Sequence, residues 1–192
     1  MVIGILDSGM GGLAVAKKIK SPQDQLIVVL DRGYFPYGNK SKLFLLERSY
    51  YLVEYLRNQG AELIILACNT LSVTVTGFLR SCFQVPILSV FEYFSPYLKK
   101  ENIFMGSYNT IRYVKEHYPI ECIDGTELIA AIEEGTPVVE ILGKLDFKQK
   151  KNLLLGCTHF LTLDKEVFPL RTMDQIEDLK KDIKKAREKL SL

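Results

Sequence analysis

The sequence contains few residues of the kinds that hold structural metal ions. It has two histidines, and none of its four cysteines forms a C-x-x-C pair. Structural zinc sites need four closely spaced sulfur or nitrogen ligands, so no metal site is predicted. Four cysteines in a chain whose start does not resemble a leader are more typical of reduced cytoplasmic thiols than of a disulfide framework.

The sequence also lacks a long apolar run and a basic patch. No run approaches the roughly 18 consecutive apolar residues of a membrane span, and the apolar start carries Asp7 without a positive leader. The net charge is +2, with lysine and arginine spread along the chain, which argues against nucleic-acid binding. Neither G-x-x-x-x-G-K-[ST] nor G-x-G-x-x-G occurs, so nucleotide binding is not predicted either. These absences indicate a soluble cytoplasmic protein without membrane or nucleic-acid partners.

Short apolar runs alternate with helical patterns along the chain, which predicts an α/β fold with mainly parallel sheets. Strands are predicted at residues 2–6, 26–30, 63–66, 86–90, 103–105, 120–123 and 153–155. Helices are predicted at residues 13–20, 42–58, 72–81, 111–117 and 126–134, with a loop at residues 32–39. The second half repeats the order of the first, so we expect two pseudo-symmetric lobes whose cleft holds the active site.

The predicted organisation has three parts. Residues 1–92 form the first α/β lobe, residues 93–168 form a shorter second lobe, and residues 169–192 form an amphipathic helix. Apolar residues recur in this helix at a spacing of three and four, namely Ile176, Leu179, Ile183, Ala186 and Leu190. The narrow apolar seam either packs on the body of the protein or makes a homodimer contact.

Two cysteines occupy similar frames, each at the end of an apolar run. Cys68 is followed by Asn69 and Thr70, and Cys157 is followed by Thr158 and His159. A single cysteine after a buried strand is more often a core residue, but two matching frames favour an acid and a base facing one substrate. A nearby helix N-terminus or histidine lowers a thiol pKa, and a helix is predicted directly after each cysteine, so a lowered thiol pKa is expected at both.

Polar residues at the other strand ends suit a charged amino acid. The Asp7–Ser8–Gly9 turn could hold a substrate ammonium group or tune a neighbouring thiol, and alone it is an ordinary Asx turn. The turn at residues 36–38 could present N–H groups to a carboxylate. The N–H groups after each cysteine also suit a carboxylate, although Asn69, Thr70 and Thr158 alone would be read as helix caps.

Four stretches of the sequence resemble the glutamate racemases, within the wider aspartate/glutamate racemase superfamily. They are residues 4–12, 35–41, 67–70 and 155–160, and the resemblance extends over about residues 1–168. Their order and spacing match the family pattern.

The resemblance implies a cofactor-independent enzyme that inverts the α-carbon of glutamate and supplies D-glutamate for bacterial peptidoglycan. It implies that Cys68 removes the α-proton of D-glutamate and that Cys157 removes that of L-glutamate. Asp7 would assist Cys68, His159 would assist Cys157, and a looser match makes Glu133 an auxiliary acid.

The resemblance also implies which residues hold the amino acid. The T-x-x-T element of the family appears with serine in place of the first threonine. The implied substrate-binding set is Ser8, Pro36, Tyr37, Gly38, Asn69, Thr70, Ser107, Thr110 and Thr158.

The sequence departs from the family in its second half. The chain is shorter, His159-Phe160-Leu161 replaces the common H-F-P, and the later strand containing an aspartate is not found, because residues 169–192 pass almost directly into a charged helix. Two alternatives therefore stay open: a racemase of aspartate or another acidic amino acid, and a shortened binding or regulatory protein without turnover.

Overall fold

The computed structural model describes residues 1–147 and 150–190. The first lobe contains β1 (Val2–Asp7), α1 (Gly11–Ile19), β2 (Gln25–Leu30), α2 (Lys42–Asn58), β3 (Leu63–Leu66), α3 (Asn69–Cys82) and β4 (Ile87–Ser89). The second lobe contains β5 (Asn102–Gly106), α4 (Tyr108–His117), β6 (Glu121–Asp124), α5 (Thr126–Glu134), α6 (Val139–Lys144), β7 (Asn152–Gly156) and β8 (Arg171–Met173). The last element is α7 (Ile176–Leu190).

Each lobe is built on a four-stranded sheet, and the two sheets have the same topology. The strand orders are β2-β1-β3-β4 and β6-β5-β7-β8, and all pairings are parallel. Thus β1 to β4 correspond in order to β5 to β8. The predicted fold class, two pseudo-symmetric α/β lobes with parallel sheets, is confirmed.

The central strands are buried on both faces, which explains their continuous apolar runs. Every residue of β3 and of β7 is buried. Helices cross over both faces of a parallel sheet, so its inner strands meet no solvent and need no polar alternation. In the first lobe α2 and α3 cover one face, while α1 and α7 cover the other.

The C-terminal helix α7 packs on the first lobe. Ile176, Leu179 and Ile183 are buried in one cluster with Ile3 and Val15, and full burial of such side chains is worth roughly 1.5–3 kcal/mol each. Outside this seam, Arg187 forms an ion pair with Asp24 near the start of β2. Residues 191 and 192 of the predicted C-terminal segment lie outside the described residues.

Some elements differ from the sequence-based expectation. The three-residue strand β8 was not predicted, because residues 171–173 include Arg171 and form no apolar run; Asp174 follows it directly. Helix α6 was also not predicted, since residues 139–144 make barely more than one turn. The predicted loop at residues 32–39 contains two 3₁₀ turns and a cis Phe35–Pro36 bond. None of the helices in the described part of the chain has the length and apolarity needed to cross a bilayer.

Candidate active site

The carboxyl ends of the strands from both lobes converge on one small cavity. Parallel strands place their carboxyl ends at the same edge of a sheet, and ligands of such sheets bind there. The cavity is small, with room for about one water molecule. It is lined by Asp7, Ser8, Phe35, Pro36, Tyr37, Gly38, Cys68, Asn69, Thr70, Ser107, Ile129, Gly156, Cys157, Thr158 and His159.

All the predicted site residues line this cavity except two. Thr110 is fully buried behind it, where its hydroxyl lies 3.1 Å from the Ser107 hydroxyl. Glu133 does not line it either and contacts His159. The lining residues Phe35, Ile129 and Gly156 were not singled out from the sequence, because apolar residues and a strand glycine carry no chemical signal of their own.

Cys68 lies at the start of α3, directly after β3. The Ser8 hydroxyl is 3.8 Å from its sulfur, and the main-chain N–H groups of Thr70 and Leu71 face the sulfur. This contact set follows from the strand–helix turn, because a residue just before a helix sees the unpaired N–H groups of the first turn.

Cys157 follows β7 and precedes a short 3₁₀ turn (Thr158–Thr162) instead of the predicted α-helix. Its sulfur is 3.5 Å from Nδ1 of His159. Nε2 of the same ring is 2.8 Å from a carboxylate oxygen of Glu133. The buried imidazole therefore joins the second thiol to a carboxylate.

The expected lowering of the thiol pKa is wrong for both cysteines. Burial and, to a smaller extent, the charge of Asp7 raise the pKa of the Cys68 thiol to about 12, against the lowering by nearby N–H groups and the Ser8 hydroxyl. Burial likewise raises the pKa of the Cys157 thiol well above its ordinary value. Removing a thiolate from water costs more free energy than one helix N-terminus or one imidazole contributes by stabilising the charge.

Asp7 connects the two halves of the site. Its carboxylate accepts a hydrogen bond from the Thr158 hydroxyl at 2.8 Å and one from the Ser8 N–H at 2.6 Å. Burial raises the pKa of Asp7, while His159 and the Thr158 hydroxyl act in the opposite direction. The negative charge of Asp7 raises the pKa of both Cys68 and Cys157, so one carboxylate influences both thiols.

A second bridge between the lobes is made of hydroxyl groups. The Thr70 hydroxyl is 2.9 Å from that of Ser107 and 3.3 Å from that of Thr110. Nearby, the Asn109 amide donates to the main-chain oxygen of Lys40 at 3.0 Å. These contacts fix α4 of the second lobe against the residues after β2 and β3.

Close approach of the lobes depends on glycines, and two of them face the residues around His159. A Cβ at Gly9 would lie 2.7 Å from Oε2 of Glu133 and 2.9 Å from Nε2 of His159. A Cβ at Gly11 would overlap the Thr158 hydroxyl oxygen and would lie 2.8 Å from the main-chain nitrogen of His159. A side chain at either position would push the lobes apart.

The charged group that fixes the turn at residues 36–38 was not predicted from the sequence. Arg48 donates to both carboxylate oxygens of Asp31, at 2.6 and 2.8 Å, and the Tyr37 hydroxyl donates to the same carboxylate. Burial alone would raise the pKa of Asp31, but these hydrogen bonds hold it below its ordinary value. Asp31 follows β2 at the sheet edge that carries Asp7, and that position was the available signal. Since its hydroxyl is engaged, Tyr37 faces the cavity with its ring and main chain.

The buried side chain of Asn69 stands out as unsatisfied. It is 3% exposed, and neither its amide nitrogen nor its oxygen has a hydrogen-bond partner among the described residues. Buried amides are almost always hydrogen-bonded, since an unmade bond costs about 1–3 kcal/mol. An amide in this state at a cavity wall is suited to a ligand that both donates and accepts.

No group of three or more histidine, cysteine, aspartate and glutamate side chains is arranged to hold a metal ion within residues 1–147 and 150–190. The chemistry available at the cavity is that of two thiols, an imidazole, two carboxylates and several hydroxyl and N–H groups.

The chain is similar to known proteins along almost its whole length. It is 32% identical to the glutamate racemase of Buchnera aphidicola subsp. Acyrthosiphon pisum, covering 93% of this chain and 80% of that protein. It is 28% identical to the glutamate racemase of Limosilactobacillus reuteri, covering 86% and 70%. No protein-family model matches.

Solved structures share the fold. The structure of glutamate racemase from Thermus thermophilus in complex with β-chloro-D-alanine superimposes with a TM-score of 0.86 at 25% identity, covering 99% of this chain and 81% of that one. The aspartate racemase of Picrophilus torridus gives a TM-score of 0.64 at 17% identity, covering 96% and 94%; this likeness concerns the fold alone.

Two similar α/β lobes that each supply a cysteine to one cavity define the aspartate/glutamate racemase superfamily as the class of this protein. Within that class the identity of 32% over most of both chains is decisive. The chain belongs to the glutamate racemase family.

Proposed function

We propose that this protein interconverts L- and D-glutamate with Cys68 and Cys157 as the acid–base pair. The observation that carries the proposal is that two thiols, one from each lobe, line a single cavity. Inversion of a carbon needs a base on one face and an acid on the other, and two opposed thiols provide both. Family membership supports glutamate as the substrate and production of D-glutamate for cell-wall peptidoglycan as the role.

The proposed reaction is a pair of proton transfers. In the D-to-L direction the Cys68 thiolate takes the α-proton, which leaves an electron pair on the α-carbon and a neutral thiol on Cys68. The Cys157 thiol then donates its proton to the opposite face and becomes a thiolate. The L-to-D direction runs the same steps in reverse, so the net charge of the thiol pair is unchanged.

The raised thiol pKa values fit this chemistry. The α-proton of an amino acid is very weakly acidic, and a base of higher pKa abstracts it more readily. The price is a smaller thiolate population at neutral pH, which lowers the fraction of active enzyme. Burial thus makes each thiolate rarer but more basic.

The other cavity residues suit an amino acid with two carboxylates. The unsatisfied Asn69 amide can accept from the ammonium group and donate to a carboxylate. N–H groups at the start of α3 and of the turn after β7 suit the negative charge that develops on the α-carboxylate. We propose that Ser8, Thr70, Ser107, Thr158 and the turn at residues 36–38 complete this set, with Thr110 supporting Ser107 from behind.

Residues of both lobes line the cavity, so we propose that the lobes separate to admit the substrate and then close around it. Closure expels water and strengthens the electrostatic interactions within the site. The hydroxyl and carboxylate contacts between the lobes would then form around the substrate.

Exchange in D2O tests the proposal. L- or D-glutamate is incubated with the protein, loss of the α-proton is followed by NMR, and the configuration of the product is determined by chiral chromatography. Exchange with inversion supports glutamate racemisation. Exchange with aspartate alone would identify aspartate, and not glutamate, as the substrate. No exchange with either amino acid would favour a binding protein without turnover.

A further inference from the structure

The carboxylate of Glu133 belongs to the second lobe, yet it is held mainly by the first. Its Oε1 lies 2.7 Å from Nε of Arg32, and its Oε2 accepts from the main-chain N–H of Met10 at 2.7 Å. Both partners come from loops that follow strands of the first lobe. The Glu133 side chain is 7% exposed, whereas that of Arg32 is 57% exposed.

The same carboxylate orients the imidazole beside the second thiol. Oε2 of Glu133 is 2.8 Å from Nε2 of His159, and Nδ1 of that ring is 3.5 Å from the sulfur of Cys157. The ring of Phe35 lies against the imidazole with centroids 5.4 Å apart. Contacts at both nitrogens and the neighbouring Phe35 ring hold the imidazole in this orientation.

Arg32 fixes a torsion that the glutamate itself leaves loose. The last torsion of a glutamate side chain has no sharp staggered minima, so the carboxylate plane is set by its partners. Met10 and His159 share Oε2, and Arg32 holds Oε1. Hydrogen bonds from Met10, His159 and Arg32 outweigh burial and lower the pKa of Glu133, so its carboxylate is charged and able to hold the imidazole.

We propose that Arg32 is a positioning residue for the second thiol. When the lobes close, it crosses the cleft, fixes the Glu133 carboxylate, and through it sets His159 beside Cys157. Closure of the lobes therefore also positions the imidazole beside Cys157, whereas the polar groups beside Cys68 come from the first lobe alone. The inference rests on the proposed racemase function and adds a residue that acts through Glu133 and His159.

Kinetic isotope effects test the positioning role. Arg32→Ala is expected to lower kcat/KM about tenfold, and equally in both directions because the two substrates are mirror images. The primary isotope effect with α-deuterated L-glutamate should rise, since abstraction by Cys157 becomes more rate-limiting. The effect with α-deuterated D-glutamate should fall, since donation by Cys157 then limits the rate after abstraction is complete.

Arg112→Ala is the matched control. Arg112 also pairs through Nε with a glutamate, Glu116, at 3.2 Å, but both side chains are exposed on α4. This variant should leave kcat/KM and both isotope effects unchanged. If Arg32→Ala leaves kcat/KM at the wild-type value, or moves the two isotope effects in the same direction, Arg32 does not position the second thiol.

A second measurement does not require turnover. The chain has two histidines, so ¹⁵N NMR of the imidazole groups gives two sets of signals, with the exposed His117 as an internal reference. Arg32→Ala should shift the His159 signals, and Arg112→Ala should not. Unchanged His159 signals in Arg32→Ala would overturn the inference even in an active enzyme. A wild-type protein that fails to exchange glutamate would instead refute the proposed function, and the NMR comparison would still decide the role of Arg32.

Discussion

The two lobes have the same strand order but hold their cysteines in different surroundings. Cys68 starts the long helix α3 and is faced by main-chain N–H groups and the Ser8 hydroxyl. Cys157 precedes a short 3₁₀ turn and is faced by the His159 imidazole. A repeated fold therefore fixes where a thiol is placed, whereas the residues after the strand decide how its proton is managed.

The lobes also differ at the ends of their corresponding strands β2 and β6. Asp31 follows β2, is buried, and is held by Arg48 and Tyr37. Asp124 ends β6, is exposed, and accepts one hydrogen bond, from the Thr126 N–H. The first lobe uses this position to fix the turn at residues 36–38 over the cavity, while the second uses it to begin α5.

The largest expected effect comes from removing either thiol. Cys68→Ser and Cys157→Ser should each lower kcat/KM for racemisation by about 10³-fold, because a hydroxyl is a far weaker acid than a thiol. Each variant should retain slow exchange on one face in D2O. Cys157→Ser exchanges D-glutamate through Cys68, and Cys68→Ser exchanges L-glutamate through Cys157.

Cys82→Ser, at an exposed cysteine on α3, is the control and should behave like the wild type. Racemisation that survives in both single variants would contradict the two-thiol mechanism. Exchange with the opposite handedness would keep the mechanism but reverse which lobe faces which enantiomer.

A substitution at the contact between the lobes should have the next largest effect. Gly11→Ala places a Cβ against the main chain of His159 and the Thr158 hydroxyl, so α1 and the turn after Cys157 must separate. A displacement of about 1 Å in a catalytic geometry costs about 10²-fold, and we expect such a loss in kcat/KM.

Gly77→Ala is the matched glycine control, because a Cβ there meets no heavy atom within 4 Å. It should keep full activity and raise the free energy of unfolding by roughly 0.5–1 kcal/mol, since Gly77 lies inside α3. Equal activities of the two alanine variants would mean that the lobes do not close as tightly as described.

Substitution of the aspartates at the ends of β2 and β6 should lower the free energy of unfolding by different amounts in the two lobes. Asp31→Asn weakens the bidentate contact with Arg48, and we expect the free energy of unfolding to fall by about 2–3 kcal/mol at neutral pH. Asp124→Asn should cost roughly 0.5 kcal/mol or less. Urea unfolding of both variants measures the difference.

The pH dependence of this stability has a defined sign. The pKa of folded Asp31 lies below the ordinary value of 3.8, so its stabilisation is present above that value and is lost as the pH falls through the folded pKa. The gap between wild type and Asp31→Asn should therefore shrink in acid. A gap that stays constant at acid pH would contradict the lowered pKa.

The sequence predicted the sheets and the positions of the thiols because both depend on local pattern. Buried parallel strands are apolar runs, and a cysteine directly after such a run must lie at the carboxyl edge. The roles of Arg32 and Asp31 were missed, because they depend on partners distant in sequence, Glu133 and Arg48. Strand β8 was missed since three residues carry too little pattern. The thiol pKa direction was wrong because the helix and histidine signals are visible in the sequence, whereas the desolvation of Cys68 and Cys157 depends on tertiary packing.

The smallest expected effect tests whether the charge of Asp7 acts on the thiols of both lobes or on one thiol alone. The charge of Asp7 adds to burial in raising the pKa of both thiols, so Asp7→Asn should move thiolate formation to lower pH in both lobes. NMR of ¹³Cβ-labelled cysteine measures this in a Cys82→Ser/Cys122→Ser background, where Cys68 and Cys157 are the only cysteines and give separate signals. In that background the thiols should titrate above the ordinary value of 9.0. The exposed Asp164→Asn serves as the control and should leave the titration unchanged.

A shift in the pKa of a single thiol would restrict the influence of Asp7 to one lobe. A shift to higher pH would contradict the electrostatic argument, because removing a negative charge can only favour a nearby thiolate.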